Sequence, residues 1–370
     1  MQKTKIIFFI SLFTIIILGL LMVYSSSNVW SMYEYNTKYY YISRQLIFFF
    51  ISLVLFFITS NIDYKFWLKY ANLIFLLCLI GLIIVLIPGI GIVRGGARSW
   101  IGFGVFSVQP SEIMKVGIII FTSKFLTKNP GILKKNKYFY LYCLIIGVVI
   151  GLIFLQPDFG SAMVLLISIV MLMFIGEFQI KNIIIGSFIL IIGLIILIMI
   201  APYRMERITS FLDPWNDPLG SGFQIIQSLY AIAPASLFGY GLFNSKQKFF
   251  FLPEPYNDFI FAILIEELGI FGGIILILLY ATVIHIGYKF SVSCKDLFAK
   301  YLSFGITSLL MIQVFINIAV VIGVLPVTGI TLPLMSYGGS SLMITMFMMG
   351  IIVNIMNNSE KSVKHFTHII

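Results

Sequence analysis

The residues best suited to chemistry in this chain are a few carboxylates and arginines set between long apolar stretches. Asp258 closes a polar segment, in Leu252-Pro-Glu-Pro-Tyr-Asn-Asp258, at the mouth of an expected helix. Asp158 lies in Gln156-Pro-Asp-Phe-Gly160, a break between two apolar runs. With Arg98, Arg204 and Arg207 in neighbouring polar segments, these carboxylates suit either an acid/base pair or a cation site serving a phosphorylated substrate. A plainer role for Asp258 is capping, because a carboxylate at a helix N-terminus is stabilised by the helix dipole. Within the apolar runs, Glu112 and Lys115 are spaced i, i+3, share a helix face and can neutralise each other. Glu266, eight residues beyond Asp258, falls within about 80° of it on a helical wheel. Glu267 points away and reads as a packing or polar-cap residue. Ionisable groups inside apolar spans are costly, so they mark a pathway, a site or an internal pair.

The elements that position these residues follow from composition. The 370 residues are 60% hydrophobic and only 10% charged, against about 25% charged in soluble domains. Backbone polar groups in hydrocarbon must be satisfied within the segment, which leaves helices or a closed barrel. The apolar runs are near-continuous and of helix length, without the alternation of barrel strands. The expected fold is an all-α polytopic membrane protein. Its ten spans are 6–24, 45–61, 70–88, 111–127, 139–156, 160–176, 182–201, 259–287, 301–322 and 339–356. The first run lacks a small-residue cleavage site and reads as a retained helix. Residues 1–370 form one membrane domain, with a large extracellular loop, 202–258, between helices 7 and 8.

Charge sets the orientation. With the N-terminus inside, fifteen positive residues fall on inner segments and eight on outer ones, while Lys115 sits in a span. Positive-inside bias therefore places both termini in the cytoplasm. All fifteen inner positives are Lys, and all five Arg are outer. Arg is useful where a planar fork must grip phosphate or carboxylate, which points to an anionic ligand outside. Chance or local ion pairs are the alternative. The 202–258 segment is too long for a simple connection, and Phe223–Tyr230 within it has an amphipathic pattern suited to the membrane surface.

Other chemistries find little support. The positives form no basic stripe, so the net charge of +10 does not indicate nucleic acid. Cys78, Cys143 and Cys294 show no paired spacing. There is no phosphate-binding glycine loop, HExxH or GxSxG, and the three His lie away from the long loop.

A series of motifs resembles the SEDS family (shape, elongation, division and sporulation), the FtsW, RodA and SpoVE proteins, over nearly the whole chain. It begins with Gly96-Ala-Arg-Ser-Trp-Ile-Gly102, Phe106-Ser-Val-Gln-Pro-Ser-Glu-Ile-Met-Lys115, Gln156-Pro-Asp-Phe-Gly160 and Arg207-Ile-Thr-Ser-Phe-Leu-Asp-Pro-Trp215. It continues through Asp217–Ser228, Phe251-Leu-Pro-Glu-Pro255, Asp258-Phe-Ile-Phe-Ala262 and Glu266-Glu-Leu-Gly269. Leu325-Pro-Val-Thr-Gly329 and Leu334-Met-Ser-Tyr-Gly-Gly-Ser-Ser341 close it. The wording is closer to the FtsW/SpoVE branch. The resemblance implies a ten-helix, inverting peptidoglycan glycosyltransferase that polymerises lipid II outside the plasma membrane. It also implies a class B penicillin-binding transpeptidase as partner, and it aligns Asp258 with the family's essential acidic residue.

On that basis Asp258 is the expected general base. Arg98, Arg204 and Arg207 would steady the pyrophosphate, with room for a divalent cation (Mg or Mn). Asp158, Gln109, Ser111, Glu112 and Lys115 complete the expected substrate-binding set. Two departures stand near this site. Asn257 replaces a usual Thr after an unusual Tyr256, and Ala233-Pro-Ala-Ser236 replaces a common Gly-Pro-Gly-Gly. A lipid II flippase, motivated by Glu112, Lys115 and Glu266, and a non-enzymatic scaffold for a transpeptidase are the rival readings.

Overall fold

The protein is described by a computed structural model covering residues 2–94, 96–103, 106–128, 136–176 and 202–367, with isolated positions 181, 184, 186 and 193. The apolar runs form helices because only a helix closes its own backbone hydrogen bonds in lipid. These are α1 (Gln2–Tyr35), α2 (Tyr40–Asn61), α3 (Tyr64–Ile84), α4 (Pro110–Lys128), α5 (Asn136–Leu155) and α6 (Phe159–Ile175). Next come α7 (Pro202–Leu212), α8 (Phe223–Ile232), α9 (Ile260–Ser293), α10 (Leu297–Val321) and α11 (Gly339–Thr367). Nine expected spans fall on α1–α6 and α9–α11, and 182–201 lies outside the described residues. The chain is a multi-pass membrane protein. Side-chain carboxylates stop the helices from fraying at their starts. Asp63, Asp158 and Asp296 accept from the backbone N–H of Lys65, Ser161 and Ala299 respectively, a contribution of about 1 kcal/mol each.

Layering follows from which faces are covered. The most apolar stretches of α10 and α11 are 78% buried, and α10 packs on α4, α6 and α9 while α11 lies along α2. Those of α2 and α3 are only 22% buried, leaving most of their Leu, Ile and Phe surface facing outward toward lipid.

Three features depart from the plain ten-span reading. The connection between α3 and α4 holds a small antiparallel sheet, β1 (Gly91–Arg94), β2 (Ala97–Phe103) and β3 (Phe106–Val108), in the order β1-β2-β3. It gives Arg98 a fixed base. Helix α1 runs about three turns past the expected end at residue 24. Its Ser25, Ser26, Ser27 and Ser31 are buried, and the Ser26 and Ser27 hydroxyls donate to the carbonyls of Met22 and Val23, one turn back. Serines that satisfy themselves this way can stay helical inside a bundle.

The third departure is a break in α9. Gly269 has φ 74 and ψ −177 inside the helix, and residues 236–241 are inserted there. Ile270 and Phe271 N–H donate to the Ser236 and Leu237 carbonyls, while Tyr240 and Gly241 N–H donate to the Glu266 and Glu267 carbonyls, all at 2.9–3.1 Å. The loop thus takes up two N–H groups and two carbonyls at the break, as an apolar surrounding demands of exposed backbone. The same loop holds Ser236 in the left-handed region, φ 51, which costs a residue with a Cβ about 1–2 kcal/mol. Restoring glycine, Ser236→Gly, is expected to stabilise the protein by about 1 kcal/mol, read as a higher midpoint in a detergent thermal-aggregation assay.

Candidate active site

Asp258 sits on the last turn before α9. It does not cap that helix: the N-cap residue is Phe259, and no side chain makes a cap hydrogen bond there. The carboxylate is therefore available for other chemistry. Burial pushes its carboxyl up to about 6. The neighbouring Glu254 charge adds to the rise, while its own backbone N–H and the Arg207 guanidinium oppose it. A carboxylate titrating there can hold or release a proton near neutral pH, as a general base should.

The backbone under Asp258 is held from a distant helix. Asn317 of α10 donates from its amide nitrogen to the Asp258 carbonyl at 2.8 Å and to the Ile330 carbonyl at 2.7 Å. Arg207, exposed on α7, donates to the Val327 carbonyl at 3.0 Å. The 325–330 loop is thus a common floor for Asp258 and Arg207. Among the described residues Arg207 and Arg98 make no ion pair with a carboxylate, so both charges are open to an anionic ligand. Arg204 lies one turn before Arg207 on α7, and its side chain is outside the described residues. Arg98 stands half-buried on β2, brought to the protein surface by the sheet rather than into contact with Asp258.

The remaining expected residues form two groups apart from Asp258. Gln109 and Ser111, at the start of α4, donate to one oxygen of Asp158 at 2.8 and 2.9 Å, while the other accepts from Ser161 N–H. This network locks the start of α4 to the start of α6. Glu112 and Lys115 form a buried ion pair at 2.6 Å, with Gln313 beside the ammonium at 3.5 Å. Beside them, Leu77 and Cys78 of α3, Ile101 and Val108 of the sheet, and Pro110 and Ile113 of α4 line an apolar cavity of about 330 Å3. Removing one charge of the pair, Lys115→Met, is expected to cost about 3–5 kcal/mol by stranding Glu112. The double variant Glu112→Leu/Lys115→Met is expected to recover most of that loss in the same thermal assay.

Glu266 and Glu267 also serve the architecture. Glu266 turns toward residues 245–247, accepting from the Ser245 hydroxyl and from Lys246 N–H at 2.9 Å. Glu267 accepts from Phe243 N–H at 3.0 Å, Ser245 N–H at 3.2 Å and the Ser25 hydroxyl, with the Lys248 ammonium 3.7 Å away. The cap reading of Glu267 is met, and Glu266 shares that role rather than facing Asp258.

Sequence reasoning passed over two contributors. Glu254 was visible in Pro-Glu-Pro, four residues before Asp258, and its charge acts on the base. Asn317 showed only as a polar residue in an apolar span, and its partners, 59 and 13 positions away, are legible only in three dimensions.

Residues 5–361 match the family model described as cell cycle protein, covering FtsW, RodA and SpoVE. Stage V sporulation protein E of Bacillus subtilis is 44% identical over 97% of this chain and 99% of its own length. The probable peptidoglycan glycosyltransferase FtsW of Coxiella burnetii is 40% identical over 94% of each chain. A solved chain from a peptidoglycan synthase complex that coordinates polymerization and crosslinking has a similar fold. Its TM-score is 0.78 at 29% identity, over 95% of this chain and 97% of that one.

Proposed function

This chain belongs to the FtsW, RodA and SpoVE family, and from that premise we propose that it polymerises lipid II into glycan strands on the outer face of the plasma membrane, for division, shape or sporulation. The observation that carries this reading is Asp258, a carboxylate raised toward neutrality by burial and left free of any capping duty. In the reaction, Asp258 takes the proton of an acceptor sugar hydroxyl as that oxygen attacks the anomeric carbon of the donor. A new C–O bond forms while the anomeric C–O bond to pyrophosphate breaks. The electron pair leaves with undecaprenyl pyrophosphate and the configuration inverts. A positioned base contributes roughly 10²–10⁴-fold. No general acid is required, because pyrophosphate departs as an anion once its charge is met. Arg207 and Arg98, with Arg204, are assigned that task, since guanidinium forks suit phosphate oxygens and, among the described residues, those of Arg207 and Arg98 pair with no carboxylate. The apolar cavity beside β2 and α4 has the lining that a stretch of prenyl chain would take.

The charges that motivated a flippase do not form an open path. Glu112 is paired with Lys115, and Glu266 caps the 245–247 turn. The class B penicillin-binding transpeptidase belongs to the proposal as the enzyme that crosslinks the product, supported by the synthase complex whose chain this one resembles.

The donor set for a resident metal is thin. Among the described residues no three His, Cys, Asp or Glu side chains come together, and Glu254 is engaged by the Asn257 amide at 2.6 Å. A Mg or Mn ion would instead arrive on the pyrophosphate as part of the substrate. Titrating either ion into the assay is expected to shift KM for lipid II without moving the pH profile. The deciding experiment is polymerisation of lipid II by purified full-length protein, with and without the partner. Full glycan yield from Asp258→Ala would overturn the assignment.

A further inference from the structure

Three tyrosines from separate parts of the chain meet immediately upstream of Asp258. Tyr256 and Tyr41 pack with ring centroids 4.4 Å apart and planes tilted by 34°, and Tyr337 stands edge-on to both, at 5.7 and 5.2 Å. Tyr256 and Tyr41 are 5% and 8% exposed, so their hydroxyls need partners. They find them in a line. The Tyr256 hydroxyl donates to the Tyr41 hydroxyl at 3.0 Å, and the Tyr41 hydroxyl donates to the Glu34 carboxylate at 2.8 Å, on the exposed end of α1. The Tyr256 backbone is held as well: its carbonyl accepts from Tyr337 N–H at 2.8 Å.

This arrangement grips the chain two residues before the carboxylate, and Asn317 grips it at Asp258 itself. Between the two grips, Asn257 closes a turn onto Glu254, through its N–H to the Glu254 carbonyl at 3.0 Å. Among the described residues, the charged groups acting on Asp258 are Glu254 from its own loop and Arg207 from α7. Glu34 and Glu254 are the charges acting on Tyr256.

We infer that Tyr256 is a positioning residue for Asp258, acting through the Tyr41 hydroxyl and the Glu34 carboxylate to hold the aspartate-bearing turn at a single angle and depth. The inference rests on the reading of Asp258 as the base. The line is built from side chains that can be changed one atom at a time.

The test is steady-state polymerisation by full-length Tyr256→Phe from pH 5 to pH 9, with Asp258→Asn run alongside. The Phe ring keeps the packing and removes only the hydroxyl. The expected result is a fall in kcat of roughly tenfold with KM within about twofold, since a mispositioned base costs rate rather than ground-state binding. The acid limb of the pH profile is also expected to move from about 6 toward the ordinary carboxylate range, as a looser turn admits water to the carboxylate. A purely structural role would lower the amount of folded enzyme and leave that limb in place. Tyr41→Phe should reproduce both effects, and the double variant should be no worse than either single one, because all three break the same line. If Tyr256→Phe does not fold, Glu34→Gln, at the exposed end, supplies the same comparison with a smaller fall.

Wild-type kcat and an unmoved limb in Tyr256→Phe would overturn the inference, as would a rise in KM alone, which would make Tyr256 a substrate contact. Retained polymerisation in Asp258→Asn would overturn the base assignment itself, a result independent of Tyr256.

Discussion

Asp258→Asn is expected to abolish glycan polymerisation, reducing the rate by at least about 10²-fold, while leaving the protein folded and able to reach the membrane. The amide keeps the shape of the side chain but cannot take a proton from an acceptor hydroxyl. In the unaltered protein the rate should rise with pH through about 6 and level off above it, because only the ionised carboxylate is a base. Stability should run the other way. Burial raises the folded-state value from the ordinary 3.8, so the folded protein binds the proton more tightly than the unfolded chain. The protonated form therefore favours folding below the unfolded value, and this advantage is lost as pH rises through about 6. The neutral Asn side chain escapes that loss. Asp258→Asn should therefore unfold at a higher temperature than the unaltered protein at pH 7 to 8, with the difference shrinking toward pH 4. Equal thermal midpoints at both pH values would show that burial does not strain this carboxylate. A site built for catalysis at the expense of stability has this signature.

Gly269→Ala is expected to destabilise the protein by about 3 kcal/mol or more. Two costs combine. With φ 74 and ψ −177 the residue occupies a region open essentially to glycine alone. A Cβ would also lie 2.2 Å from the Leu237 carbonyl oxygen and 2.5 Å from the Gly239 nitrogen, and these are backbone atoms that cannot rotate away. Relief would require expelling residues 236–241 from the break in α9. That would strand the Glu266 and Glu267 carbonyls and uncouple their side chains from residues 243–248. The variant should thus lose polymerisation although Gly269 touches no substrate, and limited proteolysis should cut the 236–258 loop at a higher rate. If Gly269→Ala retained normal thermal stability and normal loop protection, the inserted loop would not be the element that secures this part of α9.

The two variants mark the boundary between what was legible in the residues and what was not. The multi-pass helical class followed from composition, because an apolar run of helix length in lipid has one way to satisfy its backbone. The internal neutrality of Glu112 and Lys115 followed from their i, i+3 spacing, and the helix over Phe223–Tyr230 from its amphipathic pattern. Asp258 could be singled out as a carboxylate at a loop–helix junction, and the motif series assigned it a role. Each of these rests on local periodicity or on motif wording, which a linear chain carries in full.

Other features depend on contacts between distant segments, and a linear chain does not record distance in space. The sheet carrying Arg98 left no mark in the sequence, because short strands gain their stability from cross-strand pairing that periodicity barely registers. Glu266 suggested a pathway because an intramembrane charge without a visible partner suggests function, while Glu267 read as a packing or polar-cap residue. Their partners are backbone N–H groups, which no sequence pattern displays, on a loop about 20 residues earlier. The glycine in Glu-Glu-Leu-Gly was the one hint of a break in α9, and which loop enters it is set by tertiary packing. By itself the sequence determined that this is a helical membrane protein and singled out Asp258 as the candidate base. Only the tertiary structure decided that this aspartate is buried enough to titrate near 6, clamped by Asn317 from α10 and by a tyrosine line from α2, because desolvation and long-range hydrogen bonds exist only once the chain has folded.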